Sequence, residues 1–178
     1  MIPSMTELFT LESAIAMGVG LTACVTDLRS RRIPNVLTFG AAGAALAYAG
    51  VTGGWAGLGA AALGWLLGAA AFIVPFALGG LGGGDVKLLA AIGAWLGPAG
   101  AIWVALYAGV AGGVMALGVA LATGYLRRAL SNVSLLLMHW RVWGLRPLSE
   151  VSLETSDGPR LAYALPIFAG LVTALWLR

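Results

Sequence analysis

Apolar residues fall in runs long enough to enter a bilayer, and charge or glycine collects between them. A helix needs about 20 apolar residues to cross the hydrocarbon layer. The first run covers residues 9–26 and stops at Asp27. A short basic loop follows with Arg29, Arg31 and Arg32, and Pro34 is suited to the first position of the next helix, where its missing N–H costs nothing. That second span covers 35–51 and is rich in alanine and glycine. Gly53-Gly54 predicts a turn, after which Trp55 would anchor a third span, 55–78, with Pro75 near its end. After a glycine run, 86–96 is too short to cross at 1.5 Å per residue, so it reads as a short or partly embedded fourth helix, extended by the glycine loop. Gly97-Pro98 breaks it, and 99–123 forms a fifth span. Residues 125–160 hold most of the remaining polar residues; within them, 126–143 mixes arginines with leucine and tryptophan and predicts an amphipathic interfacial helix. The last span, 161–177, is interrupted by Pro166. The expected fold is therefore all-α: one polytopic membrane domain over 1–178 with about six transmembrane helices.

Composition agrees. The chain is 60% hydrophobic and 10% charged, with a mean hydropathy of +0.94, whereas soluble domains carry about 25% charged residues. Twenty-seven glycines suit close helix packing in lipid. A net charge of +3 could suggest nucleic acid, but the basic residues lie between apolar spans, so topology explains them and no nucleic-acid partner is expected. If the 29–32 loop is cytoplasmic, alternation puts Lys87, Arg127, Arg128, Arg141, Arg146 and Arg160 on the same side, leaving only Arg178 of the ten basic residues outside. The positive-inside rule then predicts an external N-terminus, with Asp27 and Asp85 together at the cytoplasmic edge. Glu7 and Glu12, without a basic n-region, argue against a cleaved signal peptide. One cysteine, Cys24, and one histidine, His139, make neither a disulfide nor a metal site; they read as helix packing and as an interfacial side chain. The tryptophans read as interface anchors.

Two of the seven acidic residues stand apart. Asp27 and Asp85 abut apolar helices, and an ionisable group there is by default a functional candidate. Two carboxylates held a few ångströms apart do not readily ionise together and share a proton, giving a general base and a general acid. The ionised partner can take a proton from water attacking a peptide carbonyl while the other hydrogen-bonds the carbonyl oxygen. The alternatives are structural: Asp27 balancing a nearby arginine, and Asp85 serving as the N-cap of the fourth helix. Gly82, Gly83 and Gly84, just before Asp85, would permit φ > 0 or close approach of backbone or substrate. Lys87 reads as a snorkelling anchor and is also a site-shaping candidate. A proton- or ion-coupled small transporter, or a non-enzymatic component of a secretion apparatus, is the competing function.

Asp27 with Ser30-Arg31-Arg32-Ile33-Pro34-Asn35, then Gly82-Gly83-Gly84-Asp85-Val86-Lys87, resembles the type IV prepilin peptidases, polytopic aspartic proteases of the G-x-G-D kind. Tyr163-Ala164-Leu165-Pro166-Ile167 is similar to that family's final helix. The resemblance implies removal of leader peptides from prepilins and pseudopilins at the cytoplasmic face of the bacterial inner membrane. It implies Asp27 and Asp85 as the catalytic pair, and Gly82 and Gly84 as glycines bringing backbone close to the scissile bond. Longer bifunctional members carry a cysteine-rich insert with paired C-x-x-C motifs and also N-methylate the new terminus. With one cysteine, this chain is expected to need neither S-adenosylmethionine nor any other cofactor. It resembles the short enzymes serving Flp or tight-adherence pili.

Overall fold

The computed structural model describes residues 10–78, 80–124, 126–144 and 162–177, which are helical nearly throughout, with no strand among them. Helix α1 runs Leu11–Ser30. Thr10 caps it, its hydroxyl oxygen accepting from the Ser13 N–H at 3.3 Å. It ends at Arg31, whose left-handed backbone (φ 54°) lets its N–H donate to the Asp27 carbonyl at 2.9 Å.

Helix α2 spans Asn35–Ala77 (43 residues) and α3 spans Gly83–Ala122 (40 residues). Laid straight, either would extend about 60 Å, twice the hydrocarbon thickness. Each is broken once, at Gly54 (φ 59°) and at Gly97 (φ 73°), a conformation that a Cβ disfavours. The chain doubles back at both points. A Cβ on Gly57 would run into the Ala49 carbonyl, and one on Gly93 would come within 2.9 Å of the Ala101 Cβ. Residues eight apart in a straight helix stand about 12 Å apart. So α2 has limbs 35–53 and 55–77, and α3 has limbs 83–96 and 98–122, with the breaks at the glycines singled out in the sequence.

Helix α4 is Leu126–Trp143 and α5 is Ala164–Trp176. Pro166 does not interrupt the last helix. It lies in the first turn of α5, where backbone N–H groups have no intrahelical acceptor to lose. The polar stretch with Glu150, Glu154 and Asp157 lies outside the described residues.

Helices α1, α2 and α3 are long and apolar enough to cross a membrane, and α5 is a shorter apolar helix. Val51 and Trp55 are 88% and 89% exposed, and many large apolar side chains besides them face outward. Apolar surface on that scale needs a lipid environment, so this is a membrane protein. The 83–96 limb lies at the centre, with Leu88, Leu89 and Ile92 fully buried. Limb 55–77 runs antiparallel to it in near backbone contact, Gly64 facing Gly93 and Gly68 facing Leu89 and Ala90. Gly170 of α5 packs on Ala108 in the second limb of α3, and Phe168 and Leu171 pack on Gly20 of α1. Trp95 departs from the expected interface anchor: it is buried and packs against Tyr48, ring centroids 5.8 Å apart.

Candidate active site

Two local features bring Asp27 and Asp85 to the same cavity. The left-handed turn at Arg31 reverses the chain after α1, and Ile33 returns onto the start of α3. A Cβ on Gly84 would stand 3.2 Å from the Ile33 Cβ, so glycine there lets the 31–35 loop lie flat on the helix. The glycine run thus acts through close approach. Gly82 has φ −80° and ψ 148°, and none of the positive-φ glycines belongs to the run. Gly82 is the N-cap of α3 and Asp85 its third helical residue, not the cap itself. The Asp85 Oδ2 accepts the Gly82 N–H at 3.1 Å, a side chain reaching back to an otherwise unpaired donor.

Asp27 sits in the last turns of α1, on the face that packs inward. Its Oδ2 accepts the backbone N–H of Ala164, the first residue of α5, at 3.4 Å. One turn earlier Cys24 is buried, and its thiol donates to the Ala164 carbonyl at 3.1 Å. Ala164 is thus held from both sides. Neighbouring Tyr163 packs edge-on against Phe72, fills the space over Gly112 and lies within electrostatic reach of Asp85. The first turn of α5 therefore touches the surroundings of both carboxylates.

Asp27 and Asp85 are each only 8% exposed, and both line one cavity of about 570 Å³. Its other walls are the 30–35 loop, Gly82 to Gly84 and Lys87. All five candidate site residues from the sequence thus meet at one place: Asp27, Asp85, Gly82, Gly84 and Lys87. Lys87 is more than an anchor. Its Nζ donates to the Asn35 Oδ1 at 3.0 Å and stands 5.4 Å from the Phe39 ring centroid, tying α3 to the start of α2. The assembly is two nearly dry carboxylates at the end of a cleft with a basic rim, which suits proton transfer to and from a bound water.

The contributions of Asn35 and the Ala164 backbone were not assigned from sequence, although both stand in the stretches that carry the family resemblance. A backbone N–H has no residue signature, so only the pairing of α5 with α1 reveals it. In comparisons with known proteins, the type IV leader peptidase family matches over residues 14–117, more than half of the chain. No curated protein and no solved structure matches at a significant level. The matched region contains the α1 aspartate, the basic loop and the Gly-Gly-Gly-Asp start of α3 that together form the cavity, so the chain belongs to the type IV leader peptidase family.

Proposed function

We propose that this protein is a membrane aspartic endopeptidase that removes the leader of type IV prepilins or pseudopilins, with Asp27 and Asp85 as its catalytic dyad. The carrying observation is that the two acidic residues flanked by apolar helices are both buried and face one cavity. One ionised carboxylate takes a proton from a water as its oxygen bonds to the scissile carbonyl carbon. The protonated partner hydrogen-bonds the carbonyl oxygen in the tetrahedral intermediate. When the C–N bond breaks, the leaving amine receives the proton, and the pair returns to its shared-proton state. In this reading α1, the two limbs of α2, the two limbs of α3 and α5 are six crossings. The charge pattern supports a cytoplasmic cavity in the bacterial inner membrane. A substrate would present its apolar helix to these helices and its leader to the basic rim formed by Arg31, Arg32 and Lys87.

The test is co-expression of a Flp-type prepilin with the wild type, Asp27→Asn and Asp85→Asn, with the leader followed by mass spectrometry. Asn keeps the shape and can still accept the capping N–H at position 85, but it cannot cycle a proton. Both variants should accumulate at wild-type levels and leave the prepilin uncut. Processing by either variant refutes the dyad.

A further inference from the structure

The first turn of α5 places one backbone donor on Asp27, and the hydrogen bonds of that turn show why the donor is free. A helix start leaves its first N–H groups without intrahelical acceptors. Here the Leu165 N–H donates to the Ala162 carbonyl at 3.2 Å and the Ile167 N–H to the Tyr163 carbonyl at 3.2 Å, while Pro166 carries no N–H. The Ala164 N–H turns to the Asp27 Oδ2 instead, at 3.4 Å. A donor at a helix N-terminus favours the charged form of the carboxylate it meets. The bond is at the long end of the usual range, so a small outward shift of the turn would break it.

Capping does not secure this turn. Tyr163 is the N-cap residue, and its side chain makes no capping hydrogen bond. Its ring is wedged between two other helices. It meets Phe72 of limb 55–77 edge-on, ring centroids 5.7 Å apart. It also covers Gly112 of limb 98–122 so closely that a Cβ there would stand 2.6 Å from Cζ and 2.8 Å from Cε2. The Tyr163 hydroxyl makes no hydrogen bond with a described residue, so packing of the ring is what holds the side chain. Phe168 and Leu171 on Gly20, and Gly170 on Ala108, hold α5 from its second turn onward. Cys24 adds only a thiol bond to the Ala164 carbonyl, and a thiol is a weak donor.

We propose that Tyr163 is a positioning residue for the peptidase reaction: its ring, seated between Phe72 and Gly112, holds the first turn of α5 where the Ala164 N–H reaches Asp27. The proposal rests on the reading of Asp27 as one of the catalytic pair. Tyr163 does not line the cavity that holds the two carboxylates, so it acts through Ala164 and not by touching substrate there. Substrate affinity belongs to the cavity walls, the 30–35 loop, Gly82 to Gly84 and Lys87, which Tyr163 leaves alone. Disturbing the ring therefore slows the step that needs Asp27 without weakening substrate binding.

The experiment reads two quantities on the full chain in detergent. One is kcat and KM for leader cleavage of a purified Flp-type prepilin, with kcat corrected for the folded fraction by far-UV circular dichroism. The other is hydrogen exchange at the Ala164 amide, followed by mass spectrometry. Tyr163→Ala should lower kcat about tenfold with KM unchanged, the scale of a lost hydrogen bond to a charged group. Gly112→Ala should do the same by displacing the ring, which keeps the test decisive should Tyr163→Ala fold poorly. Both should speed exchange at Ala164 about tenfold. Tyr163→Phe keeps the ring and should match the wild type in both readouts. Gly109→Ala, on the same limb with nothing within 4 Å of its Cβ, should match it too. Wild-type exchange at Ala164 in a folded Tyr163→Ala or Gly112→Ala protein overturns the proposal. So does a loss in Tyr163→Phe as large as in Tyr163→Ala, or a loss confined to KM. Exchange is read without cleavage: should the wild type cut no prepilin, the peptidase reading fails, and exchange still upholds or overturns the hold of Tyr163 on Ala164.

Discussion

Gly68→Ala and Gly59→Ala make the same chemical change on the same limb of α2, and the packing predicts opposite signs. In an unobstructed helix interior, alanine is favoured over glycine by up to about 1 kcal/mol. Gly59 is unobstructed: a Cβ there would meet nothing within 4 Å. At Gly68 the new Cβ would stand 2.9 Å from the Ala90 Cα and 2.9 Å from the Leu89 carbonyl carbon, and nearer still to the Leu89 oxygen. These are backbone atoms of the central limb, flanked by the fully buried Leu88, Leu89 and Ile92, so they cannot swing aside as a flexible side chain would. Overpacking of this kind costs about 1–3 kcal/mol, leaving Gly68→Ala destabilised by up to about 2 kcal/mol after its propensity gain. The propensity gain is common to both, so the variants should differ by the overpacking cost of about 1–3 kcal/mol, or roughly 2–12 °C in Tm at this chain length. Thermal unfolding in one detergent, followed by far-UV circular dichroism, measures the difference. A Gly68→Ala protein that melts at or above Gly59→Ala would refute the claim that α2 and α3 meet backbone to backbone at this point.

The remaining predictions concern the turn and the site. Gly97→Ala should lower stability by about 1–2 kcal/mol despite open space around the position, because its φ of 73° is left-handed; the same melts detect it. Lys87→Met keeps the stem but removes the donor to Asn35, a bond worth about 1 kcal/mol, so leader cleavage should fall about fivefold with helix content unchanged. Gly84→Val should push Ile33 and the 31–35 loop off α3, and prepilin processing should drop by at least about fivefold for an overpacking cost of about 1–3 kcal/mol. Unchanged processing by Gly84→Val would mean that loop contact does not govern the site.

Much of the architecture was legible because hydrophobic patterning and glycine punctuation act locally. The apolar runs marked the helices, and Gly54 and Gly97 marked the corners, since a left-handed φ excludes most residues that carry a Cβ. Pro166 was misplaced for a related reason. Proline breaks a helix interior but is harmless in a first turn, and the pattern around residue 161 did not reveal where α5 starts. Asp27 and Asp85 stood out because charge beside apolar helices is expensive. The purpose of the glycine run was less legible. Glycine permits both positive φ and close approach, and only the neighbouring Ile33 distinguishes the two.

The chain alone thus determined that the protein is helical, that it belongs in a bilayer, and which two carboxylates stand beside apolar helices as candidates for its chemistry. Those properties depend on transfer free energies and backbone preferences that each segment expresses by itself. Tertiary structure decided what meets what. It set the first turn of α5 on Asp27 through a backbone N–H, drew Lys87 to Asn35 across 52 positions of sequence, and buried Trp95 in the core instead of at an interface. Such contacts join residues remote along the chain, and small residues let the backbones approach closely enough to form them.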